Sequence, residues 1–475
     1  MNDGTDVYFV YSTTDRIKKF AERKASGSTF LEISGKGLAA GEFAFPSKDE
    51  QTAIGSMFKQ LDSLITLHQR KCRYRSLCGY LSWEQRKFSD LTDRVSIQSS
   101  DSDLPQVEYE DIVSGEGTLN KDLHDKEGGK TGIKFYAGDV LYGKLRPYLM
   151  NWLYPQFNGV AVGDFWVLRA TECDSSFLYR LVQTDSFQRL ANVSTGSKMP
   201  RADWNLISQS FFAVPADYAE QKAIAKSLAE LDGLITLHQR KYDKLCTVKK
   251  SMLDKMFPKP GETEPEIRFA GFTDPWEQRK LGDCFEFLKN NTLSRADLNG
   301  DNGTARNVHY GDILIKFGDC LDGERSDLPF ITDDTVLPKF AGSILREGDV
   351  IFADTAEDEA AGKCVELRKL PKEPTISGLH TIPARPRFPF GTGYLGHYLN
   401  SDAYHRQLLP LMQGIKVISV SKAALQDTQV RFPGLSEQTA IGSALSEIDT
   451  LITLHQRELE TLKNVKKALL EKMFV

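Results

Sequence analysis

The residues best suited to chemistry in this chain are short clusters of cations with aromatic or hydroxyl neighbours. Tyr142-Gly-Lys144-Leu-Arg146-Pro-Tyr148 follows a strand-like run and puts two cations among two tyrosines. Arg and Lys supply many of the bonds that proteins make to nucleic-acid phosphates and base edges, so Tyr142, Lys144 and Arg146 are candidates for DNA contact, against the plainer reading of a solvated turn. Ser197, Lys198 and Arg201 form a second candidate loop, and Lys416 and Lys422 stand in the corresponding loop of the later half. That half carries Asp354, Glu357, Asp358 and Glu359 where the earlier one has Lys144 and Arg146. Acidic groups repel phosphate, so either this loop accepts a hydrogen bond from cytosine N4 or it faces away.

Nothing else assembles into a catalytic site. Gly128-Gly-Lys-Thr131 resembles the end of a phosphate loop, but the glycine such a loop needs four residues earlier is His124, so a turn is expected. His238 and His455 have no visible base or nucleophile beside them. An Asn/Asp-Pro-Pro-Tyr/Phe motif for amino methylation is absent, and the seven cysteines include no Cys-x-x-Cys pair. They are expected to be reduced and mostly buried. The expectation is a protein with no catalytic residue, no metal and no cofactor.

Composition narrows the class. The 475 residues allow two to four domains, and 40% hydrophobic with 26% charged residues is ordinary for a folded protein. A net charge of -5 argues against holding DNA by bulk electrostatics, so local basic loops or basic partners would have to help. The first residues lack a basic region followed by an apolar run, and no stretch approaches the roughly 18 apolar residues of a membrane span. A cytoplasmic protein without membrane contact is expected.

The elements that position these clusters come from an internal repeat. Glu50-Gln-Thr-Ala-Ile, Glu220-Gln-Lys-Ala-Ile and Glu437-Gln-Thr-Ala-Ile each lead to Leu-Ile-Thr-Leu-His-Gln-Arg, ending at Arg70, Arg240 and Arg457. The last two copies start 217 residues apart (437 minus 220), which leaves room for a whole domain between them. Ile224, Leu228, Leu231, Ile235, His238, Tyr242 and Leu245 alternate steps of four and three, as do Ile441, Leu445, Ile448, Ile452, His455, Leu459 and Leu462. These are coiled-coil seams, and two matching seams suggest two paired helices of about 38 residues, roughly 57 Å each. The seam histidines are expected to set register or to pack, and Lys249 and Lys466 to break the seam and snorkel. Ser47 and Asp217 are candidate helix caps, and the second helix should stop near Phe257, before Pro258-Lys-Pro.

Trp83-Glu-Gln-Arg-Lys87 recurs as Trp276-Glu-Gln-Arg-Lys280 and marks the entry to each intervening region. Gly-Asp turns at Gly138 and Gly348 break strand-like runs, 176–190 and 393–411 read as helices, and both regions close on short apolar segments ending at Pro215 and Pro433. The expected map is a remnant domain end at 1–46, a truncated coiled-coil repeat at 47–82, a domain at 83–215, a central helix and linker at 216–275, a second domain at 276–433 and a C-terminal helix at 434–475. The fold class is α/β, with two divergent α/β domains alternating with long helices.

Two divergent domains between near-identical helices, each entered through Glu-Gln-x-Ala-Ile and carrying Leu-Ile-Thr-Leu-His-Gln-Arg, closely resemble the specificity subunit of type I restriction-modification systems over residues 83–475. The resemblance implies two target-recognition domains at opposite ends of an antiparallel coiled coil, each reading half of a split target in double-stranded DNA. It implies as partners two modification subunits that methylate adenine and motor-nuclease restriction subunits. It also implies that this chain directs both activities and performs neither. The extra partial repeat at 1–82 departs from that plan. The competing expectation is a coiled-coil interaction scaffold that does not bind DNA, favoured by the acidic balance.

Overall fold

The computed structural model describes residues 83–123, 128–193, 199–259, 261–324 and 328–474, with a few isolated positions between 10 and 59. Apart from those positions, the expected remnant at 1–46 and truncated repeat at 47–82, with its Ser47 cap, lie outside the described residues. Contacts divide the chain into two compact units, 1–238 with 458–475 and 239–457. Both are mixed helix and sheet.

In the first unit, the entry motif is strand β1 (Trp83–Lys87). It pairs antiparallel with the closing strand, Phe211–Pro215, with Trp83 opposite Pro215, so the two ends of the domain are stitched together. Between them lie β2 (Thr92–Val95), β3 (Val140–Gly143), β4 (Trp152–Leu153) and β5 (Phe165–Ala170), hydrogen-bonded in the order β2, β5, β3, β4. All four residues of β3 are buried. A second four-stranded sheet joins Gln98–Ser99, Gly132–Phe135, Gly159–Ala161 and Gln106–Val107. The expected helix at 176–190 is two short ones, α1 (Ser175–Leu181) and α2 (Asp185–Ala191). The break falls where the Thr184 hydroxyl caps α2 by accepting from the Phe187 N–H.

The long helix α3 (Tyr218–Lys255) follows the closing strand. Asp217 stands at its start and accepts from the Ala219 N–H at 2.8 Å, as its position before the repeat led one to expect.

The second unit is built alike. Its closing pair is β6 (Glu277–Lys280) with Gln429–Phe432. The five-stranded sheet runs β7 (Phe285–Phe287), β11 (Thr381–Pro386), β9 (Val350–Ala353), β10 (Cys364–Lys369) and then β8 (Cys320–Asp322). The segment 393–411 again divides, into α4 (Tyr394–Asn400), α5 (Asp402–His405) and a 3-10 turn. The last helix is α6 (Leu435–Met473).

The seam residues of both long helices are buried or half-buried, Ile224, Leu228, Leu231, His238, Ile441, Leu445, His455, Leu459 and Leu462 being buried. His238 Nδ1 lies 3.1 Å from the Glu458 carboxylate. The two seam lysines do not snorkel. Lys466 is 2.7 Å from Asp232, and Lys249 is 2.5 Å from Asp449, so each ends in an ion pair. Among the described residues, no helix is long and apolar enough to cross a membrane.

Candidate nucleic-acid interface

In the first unit, β3 delivers Lys144 and Arg146 to one edge of the sheet. The loop is held rigidly there. The Arg146 N–H donates to the Pro200 carbonyl at 2.7 Å and the Ala202 N–H to the Lys144 carbonyl at 2.8 Å, pairing Leu145 with Arg201. Arg146 (φ 50) and Met150 (φ 53) adopt left-handed backbone on either side of the turn Pro147–Leu149. Such conformations cost about 1 to 3 kcal/mol each and persist where surrounding contacts dictate them.

Asp164 organises the cations. Its carboxylate is 2.9 Å from the Arg201 guanidinium and 3.5 Å from Lys144 Nζ. Burial would raise this carboxyl, but the hydrogen bond and charge of Arg201, with Lys144, hold it below its usual range. Tyr109 completes the support: its hydroxyl donates to the Asp164 carbonyl at 2.6 Å and accepts from the Leu145 N–H at 3.1 Å. Arg146 is exposed beside the exposed side chains of Tyr148, Leu149 and Met150. The edge therefore presents one unpaired guanidinium, an aromatic ring and two tethered cations.

Tyr142 is not part of that edge. It is 1% exposed, stacks on Trp166 at 5.8 Å and places its hydroxyl 3.3 Å from Gln188. As a residue of a strand covered on both faces it belongs to the core, which corrects its expected contact with DNA. Ser197 and Lys198 lie outside the described residues. Gly128 to Thr131 form no phosphate cradle: Lys130 Nζ is 2.7 Å from Glu108, and the segment leads into a strand.

In the second unit the corresponding edge carries a projecting hairpin. Gln413 and Ser419 exchange backbone hydrogen bonds, Gly414 turns the chain at φ 118, and Ile415, Lys416 and Val417 are exposed at the tip. The strand pairing of Thr355–Ala356 with Ile418–Ser419 seats the acidic loop beside it. Glu357, Asp358 and Glu359 are exposed there, so the acidic loop shares the edge with Lys416 and is not folded inward. Lys422 begins a short helix and lies over the Phe287 ring at 5.2 Å.

Comparison with known proteins finds relatives of one kind. No family model matches. The specificity subunit of the type I restriction enzyme MjaVIII from Methanocaldococcus jannaschii is 24% identical over 307 residues, which cover 62% of this chain and 68% of that protein. The EcoDI specificity subunit from Escherichia coli is 26% identical over 156 residues, 32% of this chain and 35% of that protein. The curated relatives this chain is similar to are type I restriction enzyme specificity subunits. Among solved structures, the S subunit of a type I restriction-modification system from M. genitalium aligns with a TM-score of 0.48 at 12% identity, over 84% of this chain and 98% of that one.

The candidate cations stand out in the sequence, whereas the residues that hold them do not. Asp164 and Tyr109 carry no motif; only the antiparallel pairing of β5 with β3, Phe165 opposite Gly143, brings Asp164 beside Lys144. The free cysteines among the described residues include Cys173, Cys284 and Cys364, all buried.

Proposed function

We propose that this chain is the DNA sequence-specificity subunit of a type I restriction-modification complex. Residues 83–215 and 276–433 are its two target-recognition domains, each reading one half of a bipartite target. The helices at 216–275 and 434–475 pair as an antiparallel coiled coil that separates them. Adenine methylation belongs to two modification subunits, and translocation and cleavage to motor-nuclease subunits. The chain itself is not catalytic.

The observation that carries this reading is likeness to named specificity subunits in a chain whose two domains differ at the candidate contact edge while its helices repeat. One edge offers Arg146, Lys144 and Arg201; the other offers Lys416 and Lys422, with an exposed acidic loop beside the hairpin that carries Lys416. Direct readout requires such difference, because each base pair shows its own donor and acceptor pattern in the major groove. Antiparallel pairing is supported by Asp232 meeting Lys466 and His238 meeting Glu458: partner numbers fall along one helix as they rise along the other.

Methylome sequencing of a strain that expresses the chain with modification partners tests the proposal. A split adenine-methylated motif that disappears with the chain is expected. Modification that persists unchanged without it would refute the assignment. A mobility shift of the assembled complex on genomic and random duplexes distinguishes a DNA reader from a scaffold that binds no DNA.

A further inference from the structure

Each unit contains an ion cluster in which a side chain from the domain enters a charge pair borne by the long helices. In the first unit, Arg180 of α1 and Lys466 of α6 converge on Asp232 of α3 at 2.5 and 2.7 Å. In the second, Lys249 of α3 lies 2.5 Å from Asp449 of α6 and 2.6 Å from Asp319, and His397 of α4 lies 3.0 Å from Asp319 and 3.8 Å from Asp449. The clusters correspond residue by residue. Arg180 and His397, Asp232 and Asp449, and Lys249 and Lys466 are each 217 positions apart. Two helical residues of opposite charge thus recur unchanged, while the domain's contribution changes from arginine to histidine.

The surroundings of His397 show why a histidine can stand where an arginine does. It is fully buried. Nδ1 faces the Asp319 carboxylate at 3.0 Å, and Nε2 faces Ser446 Oγ at 3.3 Å. The Ser446 hydroxyl donates to the Gly442 carbonyl, which leaves its oxygen to accept. Both ring nitrogens therefore meet acceptors, the pattern of an imidazolium with two N–H donors. Cys320 Sγ lies 3.9 Å from Nε2, Glu366 is nearby, and Asn400 Nδ2 donates to the second Asp319 oxygen at 2.9 Å. Asp319 supplies the extra negative charge that a fully buried cation beside Lys249 requires.

We infer that the helix-borne Asp–Lys pair is a socket for a cation from each recognition domain, and that Arg180 and His397 are the positioning residues that fix the domains on the helices. This inference rests on the reading of the domains given above. It assigns a task to two buried residues: holding each reading edge at a set angle to the helices. A domain grafted onto these helices would need a cation at the same place.

The test compares His397→Gln with His397→Arg in the full chain, co-expressed with the modification subunits. Glutamine keeps hydrogen bonding without charge; arginine is larger but restores the cation. Methylation of the target is expected to fall about tenfold or more with glutamine, since hydrogen bonds to charged groups are the strong ones, and to stay within about threefold of the parent with arginine. A site that only needs filling gives the opposite order, which overturns the inference, as does equal retention or equal loss. Amide hydrogen exchange over 394–400 and 246–252 in the chain without partners or DNA gives a second measurement. Faster exchange with glutamine alone supports the socket, and equal exchange in both variants overturns it. If the parent chain directs no methylation, the functional reading fails, while the exchange experiment still decides the socket.

Discussion

Gln221 and Gln438, the glutamines of the two Glu-Gln-x-Ala-Ile motifs, make the same pair of hydrogen bonds. Gln221 accepts from the Asp174 N–H at 2.7 Å and donates to the Pro215 carbonyl at 2.8 Å. Gln438 accepts from the Gly391 N–H at 2.9 Å and donates to the Pro433 carbonyl at 2.8 Å. The first residue of each bridge stands just ahead of α1 or α4, and the second ends the apolar segment that precedes the long helix. The repeated motif is therefore a clamp that joins helix to domain.

Replacing either glutamine with alanine leaves two buried backbone groups unsatisfied and should destabilise its unit by about 1 to 3 kcal/mol per group. Native-state hydrogen exchange checks this. Protection should fall around 174–178 in Gln221→Ala and around 391–396 in Gln438→Ala. Unchanged protection in both would show that the bridges contribute nothing.

Gly442 follows the same motif in the last repeat, where the middle repeat has the buried Ala225. A Cβ at Gly442 would stand 2.3 Å from the Thr392 carbonyl oxygen and 2.9 Å from the Tyr394 nitrogen. Alanine favours a helix over glycine by about 1 kcal/mol, yet overpacking against backbone costs about 1 to 3 kcal/mol. Gly442→Ala should therefore lower the thermal midpoint, although the homologous position tolerates alanine. A raised midpoint would contradict the close approach.

Acid should weaken the second unit through Asp319. Burial would raise its carboxyl, but His397 and Lys249 hold it down to about 2, against an ordinary value of 3.8. A depressed carboxylate stabilises the fold above its unfolded value and loses that contribution as pH falls through the folded one. About 2 kcal/mol should thus be present above about pH 4 and lost towards pH 2. Asp319→Asn should remove that part of the pH dependence in a series of urea titrations; an identical pH profile in the variant would exclude the role.

Much of this organisation was legible in the sequence, for a physical reason. The seam residues recur at coiled-coil spacing because one face of a long helix must be buried, so Leu228, Leu231, Ile441 and Leu445 announced themselves. Tyr142 misled because Val140–Gly143 is apolar on both faces and a tyrosine beside Lys144 looks like a contact. The strand's central place in its sheet, which buries that ring, depends on partners near residues 153 and 166. Lys249 and Lys466 misled similarly: a lysine in a seam reads as a break until the distant Asp449 or Asp232 is seen. Arg180 and His397 carried no local signal beyond their shared offset.

Arg146→Ala at the proposed reading edge and Tyr142→Phe in the core behind it should separate contact from core. Loss of the exposed Arg146 should weaken DNA binding by the assembled complex and lower its salt dependence by about one phosphate equivalent. Tyr142→Phe removes only the bond towards Gln188 and should leave DNA affinity unchanged, with a stability loss of about 1 kcal/mol. Titrations by fluorescence anisotropy at several salt concentrations decide between them; an affinity loss confined to Tyr142→Phe would reverse the assignment.

The central claim is that two readers are held apart by paired helices. Seven residues inserted between His238 and Gln239, matched by seven between Arg457 and Glu458, keep the heptad phase of both seams. They avoid the ion pairs at Lys249 with Asp449 and at Asp232 with Lys466. Each helix gains about 10.5 Å, equivalent to about three base pairs at 3.4 Å per step. Methylation mapping of the doubly extended chain with its partners should find both half-sites unchanged and the unread spacer longer by about three base pairs. Altered base preference at unchanged spacing would contradict the account.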